Sequence, residues 1–322
     1  MILTFDFHNH SCLSPCASLE NAPSAMAARA ALKGLDLFAL TDHNSALNAP
    51  AFAIACARVG LIPLFGLEIN PFEEAHLLAI FPDPLLALAF SDWVVQYLPQ
   101  IEVAPSQFGD QVVVDSEDEI LAMPSAWYGN SLQQLFTFFA KEAAGAGALV
   151  IPAHVDRPQF SVYSQLGFLP EGEYDAVEAM GAEPDTKLCG RHCVISGSDA
   201  YVLEHIGRRA STVEIGSEQL ADDLRLGLAE MFQTWNGLRH RQELGQDPSA
   251  RTLKPGAETE EAMCGAARSS DIPGLVPLVN FLGQWYPHGT AQALFEEIRC
   301  SFHTGRAWSV YKGRYPASSA TD

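Results

Sequence analysis

The chain has 322 residues, 48% of them hydrophobic, enough apolar material for one large domain or two ordinary ones. Its 39 acidic against 19 basic side chains give a formal charge of −20 with no basic cluster, which argues against a long nucleic acid or an anionic membrane as partner. No apolar run reaches the ~18 residues of a spanning helix, the opening MILTFDFH does not read as a secretory signal, and seven irregularly spaced cysteines do not read as a disulfide framework.

A cytoplasmic protein with reduced thiols is therefore expected. Along the chain, residues 2–7 (ILTFDF) read as a short strand and 24–33 as a helix entered through Pro23 and Ser24. A strand at 35–43 (LDLFALTDH), a helix at 49–60 stopped by Gly60, and strands at 61–69 and 76–82 follow. Residues 83–147 form a longer excursion, with helices near 84–98 and 131–144 around a two-stranded piece at 111–123, expected to cap a site. Strands at 148–154, 174–180, 192–200 and 211–215 complete a first unit, 1–215. Residues 216–322 read as a helical extension, with a Pro-, Gly- and Ser-rich stretch near 245–273 expected to be loop or disordered. These added helices are expected to pack outside the first unit and to serve self-association into a homo-oligomer.

Continuous apolar strands alternating with helices predict a parallel sheet covered on both faces, an α/β fold, and eight such runs predict a barrel rather than an open sheet. His8, His10, Asp42, His43, Glu68, His154 and Asp199 fall at or just beyond the C-terminal ends of predicted strands, the end where a β/α barrel builds its site. His76 stands at the start of another strand. The pair in FHNHS points both rings to one side, because strand side chains alternate with period two. Five histidines and two acids at strand ends are costly to bury without partners, and imidazole with carboxylate is a donor set for zinc, manganese or iron.

The segments FHNHS (7–11), LTDHN (40–44), GLEIN (66–70), AHLLAIF (75–81), PAHVDRP (152–158) and GSDAYVLEHIG (197–207) together resemble the PHP family, the polymerase and histidinol phosphatase superfamily of metal-dependent phosphoesterases. The resemblance runs from residue 3 to about 215. It implies a distorted (β/α)7 barrel with two or three divalent ions, of zinc, manganese or iron. It also implies His8, His10, His43, Glu68, His76, His154 and Asp199 as ligands, and Asp42 as a catalytic or supporting carboxylate.

The chain departs from the family pattern twice: Pro15 and Tyr201 stand where further ligands are usual. A neutral phenol is a poor ligand, so Tyr201 is expected to donate a hydrogen bond to substrate or water. His205, four residues further on, and Cys12 and Cys16, which flank Pro15, are candidate substitutes, Cys16 foremost of the two, the alternative for the cysteines being a buried small thiol. Arg157 is the candidate phosphate clamp, with an ion pair to a neighbouring acid as its alternative reading.

The expected activity is hydrolysis, by metal-activated water, of a small phosphorylated molecule such as a nucleotide, a sugar phosphate or a histidinol phosphate-like ester. Two alternatives stay open at this point: a barrel with reduced catalysis acting as a regulatory or scaffolding metal-binding module, and a metal-dependent hydrolase of a non-phosphate bond.

Overall fold

The computed structural model describes residues 1–101, 109–181, 189–190, 192–244 and 266–309. Of the stretch 245–273 expected to be loop or disordered, residues 245–265 lie outside the described residues; the remainder carries the short 3-10 turns Ser269–Asp271 and Pro273–Leu275.

The central sheet is built from β1 (Ile2–Asp6), β2 (Leu37–His43), β3 (Ile62–Ile69), β4 (Leu77–Phe81), β7 (Leu149–Pro152), β10 (Ser211–Glu214) and β11 (Ala307–Ser309), in the order β11-β10-β1-β2-β3-β4-β7. Two small pairs accompany it, β5 (Val113–Val114) with β6 (Ile120–Ala122) and β8 (Val177–Glu178) with β9 (Val194–Ile195). The sheet curls, and the β8–β9 pair contacts β7 on one side and β11 on the other, giving a half barrel closed by a separate parallel pair. This is an α/β architecture consistent with the distorted barrel expected from the sequence.

An all-parallel sheet is not found. β1, β2 and β3 run parallel, whereas β4 is antiparallel to both β3 and β7, and β10 is antiparallel to β1. The reason is connection length: only residues 70–76 separate β3 from β4, too few for the crossover of roughly a dozen residues that a parallel pair needs. Gly66 lets the two strands close up, since a Cβ there would stand 2.4 Å from the Ala79 carbonyl oxygen.

Every residue of β2 and β3 is buried, as continuous apolar runs covered on both faces should be. The helix Ala49–Val59 packs on this sheet through Phe52, whose ring lies 5.4 Å from Phe38 and 6.1 Å from Phe65. Each such fully buried ring contributes about 1.5–3 kcal/mol. The helix Glu218–Glu243 lies against Ala49–Val59 and against His288–His303, and the chain then returns β11 to the edge of the sheet. Among the described residues no helix is long and apolar enough to cross a membrane.

Strand register brings the polar residues to one level. His43 pairs with Glu68 across β2 and β3, Ile69 pairs with Leu77, and Leu77 pairs with Pro152, so His76 and His154 sit just past the same end of the sheet. The antiparallel turn into β4 is what delivers His76 there, from the N-terminal end of its strand.

Candidate metal centre

After β1 the chain stays extended through Asn9, which bridges Ala200 while its backbone carbonyl accepts from the Thr41 N–H. The Asn9 side chain turns back to the carbonyls of Asp6 and Ala39, and period two sends His8 and His10 the other way. They meet Glu68.

Glu68 is the centre of the site. Its Oε1 lies 3.1 Å from His8 Nε2, 2.6 Å from His76 Nδ1 and 3.1 Å from His154 Nε2. Its Oε2 lies 3.2 Å from His10 Nε2 and 3.1 Å from His43 Nδ1. Asp199 closes one side, with Oδ1 3.6 Å from His8 Nε2 and 3.4 Å from His10 Nε2. All seven side chains are buried.

Only His76 Nδ1 and His154 Nε2 are hydrogen-bonded to Glu68, both at Oε1. His8 Nε2, His10 Nε2, His43 Nδ1, Glu68 Oε2 and Asp199 Oδ1 are buried without an aligned partner. Left so, each would cost about 1–3 kcal/mol, and the sum would rival the ~5–15 kcal/mol that holds a domain folded. A divalent cation resolves the conflict, because it takes lone pairs from imidazole and carboxylate together. Among the described residues three donor groups have ligand atoms within 4.8 Å of one another: His8/His10/Glu68/Asp199 and His43/Glu68/His76, which share Glu68, and His10/Cys16/His43, which draws its two histidines from them. His154 belongs to none of the three.

The imidazoles are held from behind. His8 Nδ1–H donates to Glu178 Oε2 (2.8 Å), which also accepts the His154 backbone N–H (3.0 Å). His10 Nδ1–H donates to Ser14 Oγ (3.1 Å), and Ser14 in turn donates to Asp42 Oδ1 (2.6 Å). Each arrangement leaves the Nε2 lone pair facing the cluster. His154 and Asp199 hold left-handed backbone, φ 30° and 47°, a conformation that costs ~1–3 kcal/mol and clusters at functional sites.

Electrostatics report the same frustration. Burial would lower His8, but Glu178, Glu68 and Asp199 raise it well above its ordinary value. His10, against the same burial, is brought up to about 9 by Asp199 and Glu68. Burial pushes His43 down to about 3 despite Glu68. Glu68 and Asp199 resist burial and sit low because of the surrounding histidines. Without a metal, the pocket must take up protons to balance its carboxylates.

Of the two roles left open for Asp42, the contacts fit the supporting one and not the catalytic one: its oxygens accept from the Ser11 N–H (2.7 Å), Ser11 Oγ (2.6 Å) and Ser14 Oγ (2.6 Å), so it positions the loop behind His10. His205 falls in none of the donor groups, because residues 203–205 form a 3-10 turn rather than the α-helix that would set it beside Tyr201. Glu178 is not among the residues singled out from the sequence. Its signal is a lone acid inside the apolar run AVEAM, where a carboxylate buried in a strand requires a partner.

The cluster opens into a cavity of about 350 Å³ lined by His43, His76, Trp127, Arg157, Phe160 and Tyr201. Arg157 donates to Asp199 Oδ2 at 2.9 Å, the ion pair that was its alternative reading, and also reaches Tyr201. Burial and the nearby Asp199 and Glu68 hold the Tyr201 phenol protonated, and its ring stacks on His10 at 5.1 Å. A larger cavity near Asp175, Arg299 and His303 lies elsewhere, and its charges pair with one another.

A curled α/β sheet carries at one end a buried His/Glu/Asp cluster able to hold metal ions. Residues 6–123 match the model of the PHP domain, the family whose motifs the sequence resembles. A probable phosphatase of Acetivibrio thermocellus is 23% identical over 216 residues, spanning 65% of this chain and 83% of that protein. Endonuclease Q from Pyrococcus furiosus shares the fold with a TM-score of 0.51 at 21% identity, over 71% of this chain. An endonuclease Q complex with a 27-mer duplex carrying an abasic lesion at the active site matches with a TM-score of 0.52 at 20% identity. This chain spans 56% of the endonuclease Q length. These structures overturn the expectation that a long nucleic acid is excluded, because a protein of the same fold holds a duplex at its active site. Net charge is a sum over the whole surface, and it does not report the potential within one groove.

Proposed function

We propose that the protein is a metal-dependent phosphoesterase. The observation that carries this reading is the convergence of five imidazoles on the two oxygens of buried Glu68, with facing atoms of His8, His10 and His43 unpaired.

His8, His10, His43, Glu68, His76, His154 and Asp199 would hold the ions. Bound divalent cations supply Lewis acidity toward phosphoryl oxygens and activate water at neutral pH. The rest belongs to this chain's own side chains. Arg157, with one N–H on Asp199 and others remaining, binds a phosphate oxygen at the cavity wall. The protonated Tyr201 hydroxyl donates a second hydrogen bond to the same group. Trp127 and Phe160 flank the entrance and exclude water from the phosphate. Asp42, through Ser14, keeps His10 in the tautomer that presents Nε2.

A cavity near 350 Å³ accepts a phosphate with one sugar or nucleoside unit. The substrate is thus a small phosphate ester or a single nucleotide unit of a longer nucleic acid. The second form is favoured by the duplex complex of endonuclease Q. The test is a screen for phosphate release from nucleotides and sugar phosphates, run beside cleavage of labelled single-stranded and duplex oligonucleotides, with manganese, zinc or iron added. Stoichiometric metal without turnover of any phosphoester would overturn the proposal in favour of a scaffolding barrel or a hydrolase of another bond.

A further inference from the structure

The sequence shows no basic cluster, but the fold assembles one on a flank of the metal centre. The helix Pro23–Leu32 carries Arg29 in its last turn and ends on Lys33, four residues on, so the two side chains leave the same face about 6 Å apart along the axis. The turn Leu203–His205 packs against that helix, and the loop after it lays Gly207 on the Lys33 stem, where a Cβ would stand 3.2 Å from Lys33 Cβ. Arg208 and Arg209 come next. Arg208 Nε donates to the Ser198 carbonyl at 2.9 Å and its Nη2 to the Asp199 carbonyl at 3.4 Å, while the Arg209 N–H donates to Ser198 Oγ at 3.2 Å. The patch thus begins at the backbone of Asp199, a residue of the centre.

Among the described residues no carboxylate pairs with Arg29, Lys33, Arg208 or Arg209, and the neighbouring acids are engaged elsewhere. Asp6 accepts the Ser198 and Gly207 N–H groups at 2.9 Å each, Asp36 takes Arg225 at 2.8 Å, and Asp199 takes Arg157 at 2.9 Å. Arg29 Nε, His205 Nδ1 and Arg209 Nη1 are buried with no hydrogen-bond partner among the described residues. Burial, followed by the adjacent Arg209, pulls Arg208 below its ordinary value against the effect of Asp199, so like charges are held together at a cost. The negative end of a helix dipole favours Arg29 and Lys33. It does not account for two further arginines brought against them.

We propose that this flank, Arg29, Lys33, Arg208 and Arg209, is a docking surface for the phosphodiester backbone of a nucleic-acid strand whose neighbouring phosphate occupies the centre. The proposal rests on the phosphoesterase reading above and selects, from its two forms of substrate, the nucleotide unit of a longer strand. Charge complementarity carries it. A strand presents one phosphate about every 3.4 Å along its axis, so the spacing of Arg29 and Lys33 spans about two nucleotides. Arginine forks bind phosphate oxygens bidentately, and lysine meets them as a point charge. With a formal charge of −20 on the whole chain, the remaining surface repels the strand and confines it to this path.

The experiment follows the fluorescence anisotropy of a labelled single-stranded oligonucleotide, made resistant to cleavage by phosphorothioate linkages, on the full chain with manganese and rising potassium chloride. Wild-type affinity should fall with salt, and each cation removed should flatten the slope of log affinity against log salt by about 0.7. Lys33→Ala and Arg209→Ala should each show that change and the double variant about 1.4. Arg209→Lys should keep the wild-type slope, which separates charge from packing. Lys33 is exposed, so its variant decides the matter where Arg209→Ala fails to fold. Wild-type slopes in Lys33→Ala and Arg209→Ala, no oligonucleotide binding by the wild type, or displacement of the oligonucleotide by polyglutamate or phosphatidylserine vesicles at equal charge overturns the docking surface and leaves the metal centre standing. The expected slopes without turnover of any phosphoester support the surface and overturn the phosphoesterase reading alone.

Discussion

Glu178 Oε2 stands 2.8 Å from His8 Nδ1, and that single contact decides which nitrogen of His8 faces the cluster. With the proton held on Nδ1, Nε2 is left with its lone pair beside Glu68 and Asp199. Replacing the carboxylate by an amide frees the ring to take either tautomer. Glu178→Gln should therefore weaken metal affinity by roughly 10–100-fold, as loss of such supporting partners does. Competition with a chromophoric chelator measures it, and an unchanged affinity would remove Glu178 from the site's design.

Gly197 makes room for that contact. A Cβ on it would lie 2.0 Å from Glu178 Oε1 and 2.6 Å from His8 Cβ, closer than any real packing allows. Gly197→Ala should push the two side chains apart, destabilise the fold by about 1–3 kcal/mol and lower metal affinity together. Urea unfolding with and without zinc reads both effects, and a neutral substitution would contradict the packing described here.

Asp42 separates a positioning role from a catalytic one. Asp42→Ala leaves the Ser11 and Ser14 donors without their acceptor, at about 1–3 kcal/mol for each buried group, and loosens His10. The expected result is reduced metal affinity and turnover with the shape of the pH–rate profile preserved. Disappearance of one limb of that profile would restore Asp42 as the proton acceptor.

Acid–base linkage predicts how the metal-free protein responds to pH. The folded-state pKa of His10 is about 9, above its ordinary 6.5, because burial, which lowers it, is outweighed by Asp199 and Glu68. The corresponding stability is fully present below pH 6.5 and is lost as pH rises through 9. Glu68 and Asp199 are depressed, so their contribution is present above the ordinary carboxylate range and is lost on acidification. The chelated protein should thus lose melting temperature between pH 6.5 and 9, while the increment gained from added zinc grows over the same interval, because protons cease to compete for the imidazoles. Scanning calorimetry at fixed ionic strength checks the two opposite slopes.

Arg157→Ala should raise KM for a phosphate ester more than it lowers kcat, whereas Arg157→Lys, with a point charge in place of the fork, should recover part of the loss. Equal kinetics in all three proteins would leave Arg157 as the partner of Asp199 alone.

Much of the centre was legible in the chain itself. Continuous apolar runs ending in His43, Glu68 and His154 mark buried strands with chemistry at their ends, and the H-x-H spacing of His8 and His10 aims two rings together through the period of a strand. The direction of β4 was open to a length argument over residues 70–76, although its apolar composition reads the same in either direction. Asp42 illustrates the limit: a carboxylate between Thr41 and His43 reads as part of the site, and only its contacts with Ser11 and Ser14 turn it away.

What the sequence determined alone is therefore the strand identities, the donor types and the end of each strand that carries them, since periodicity and burial act locally. Tertiary structure decided that Glu68 is the hub, that Glu178 stands behind His8, and that Cys16 rather than His205 reaches the open side. Those relationships depend on register between strands and on how a loop folds back across them. Distances between residues far apart in the chain are set by the closure of the whole sheet, a long-range constraint with no local signature.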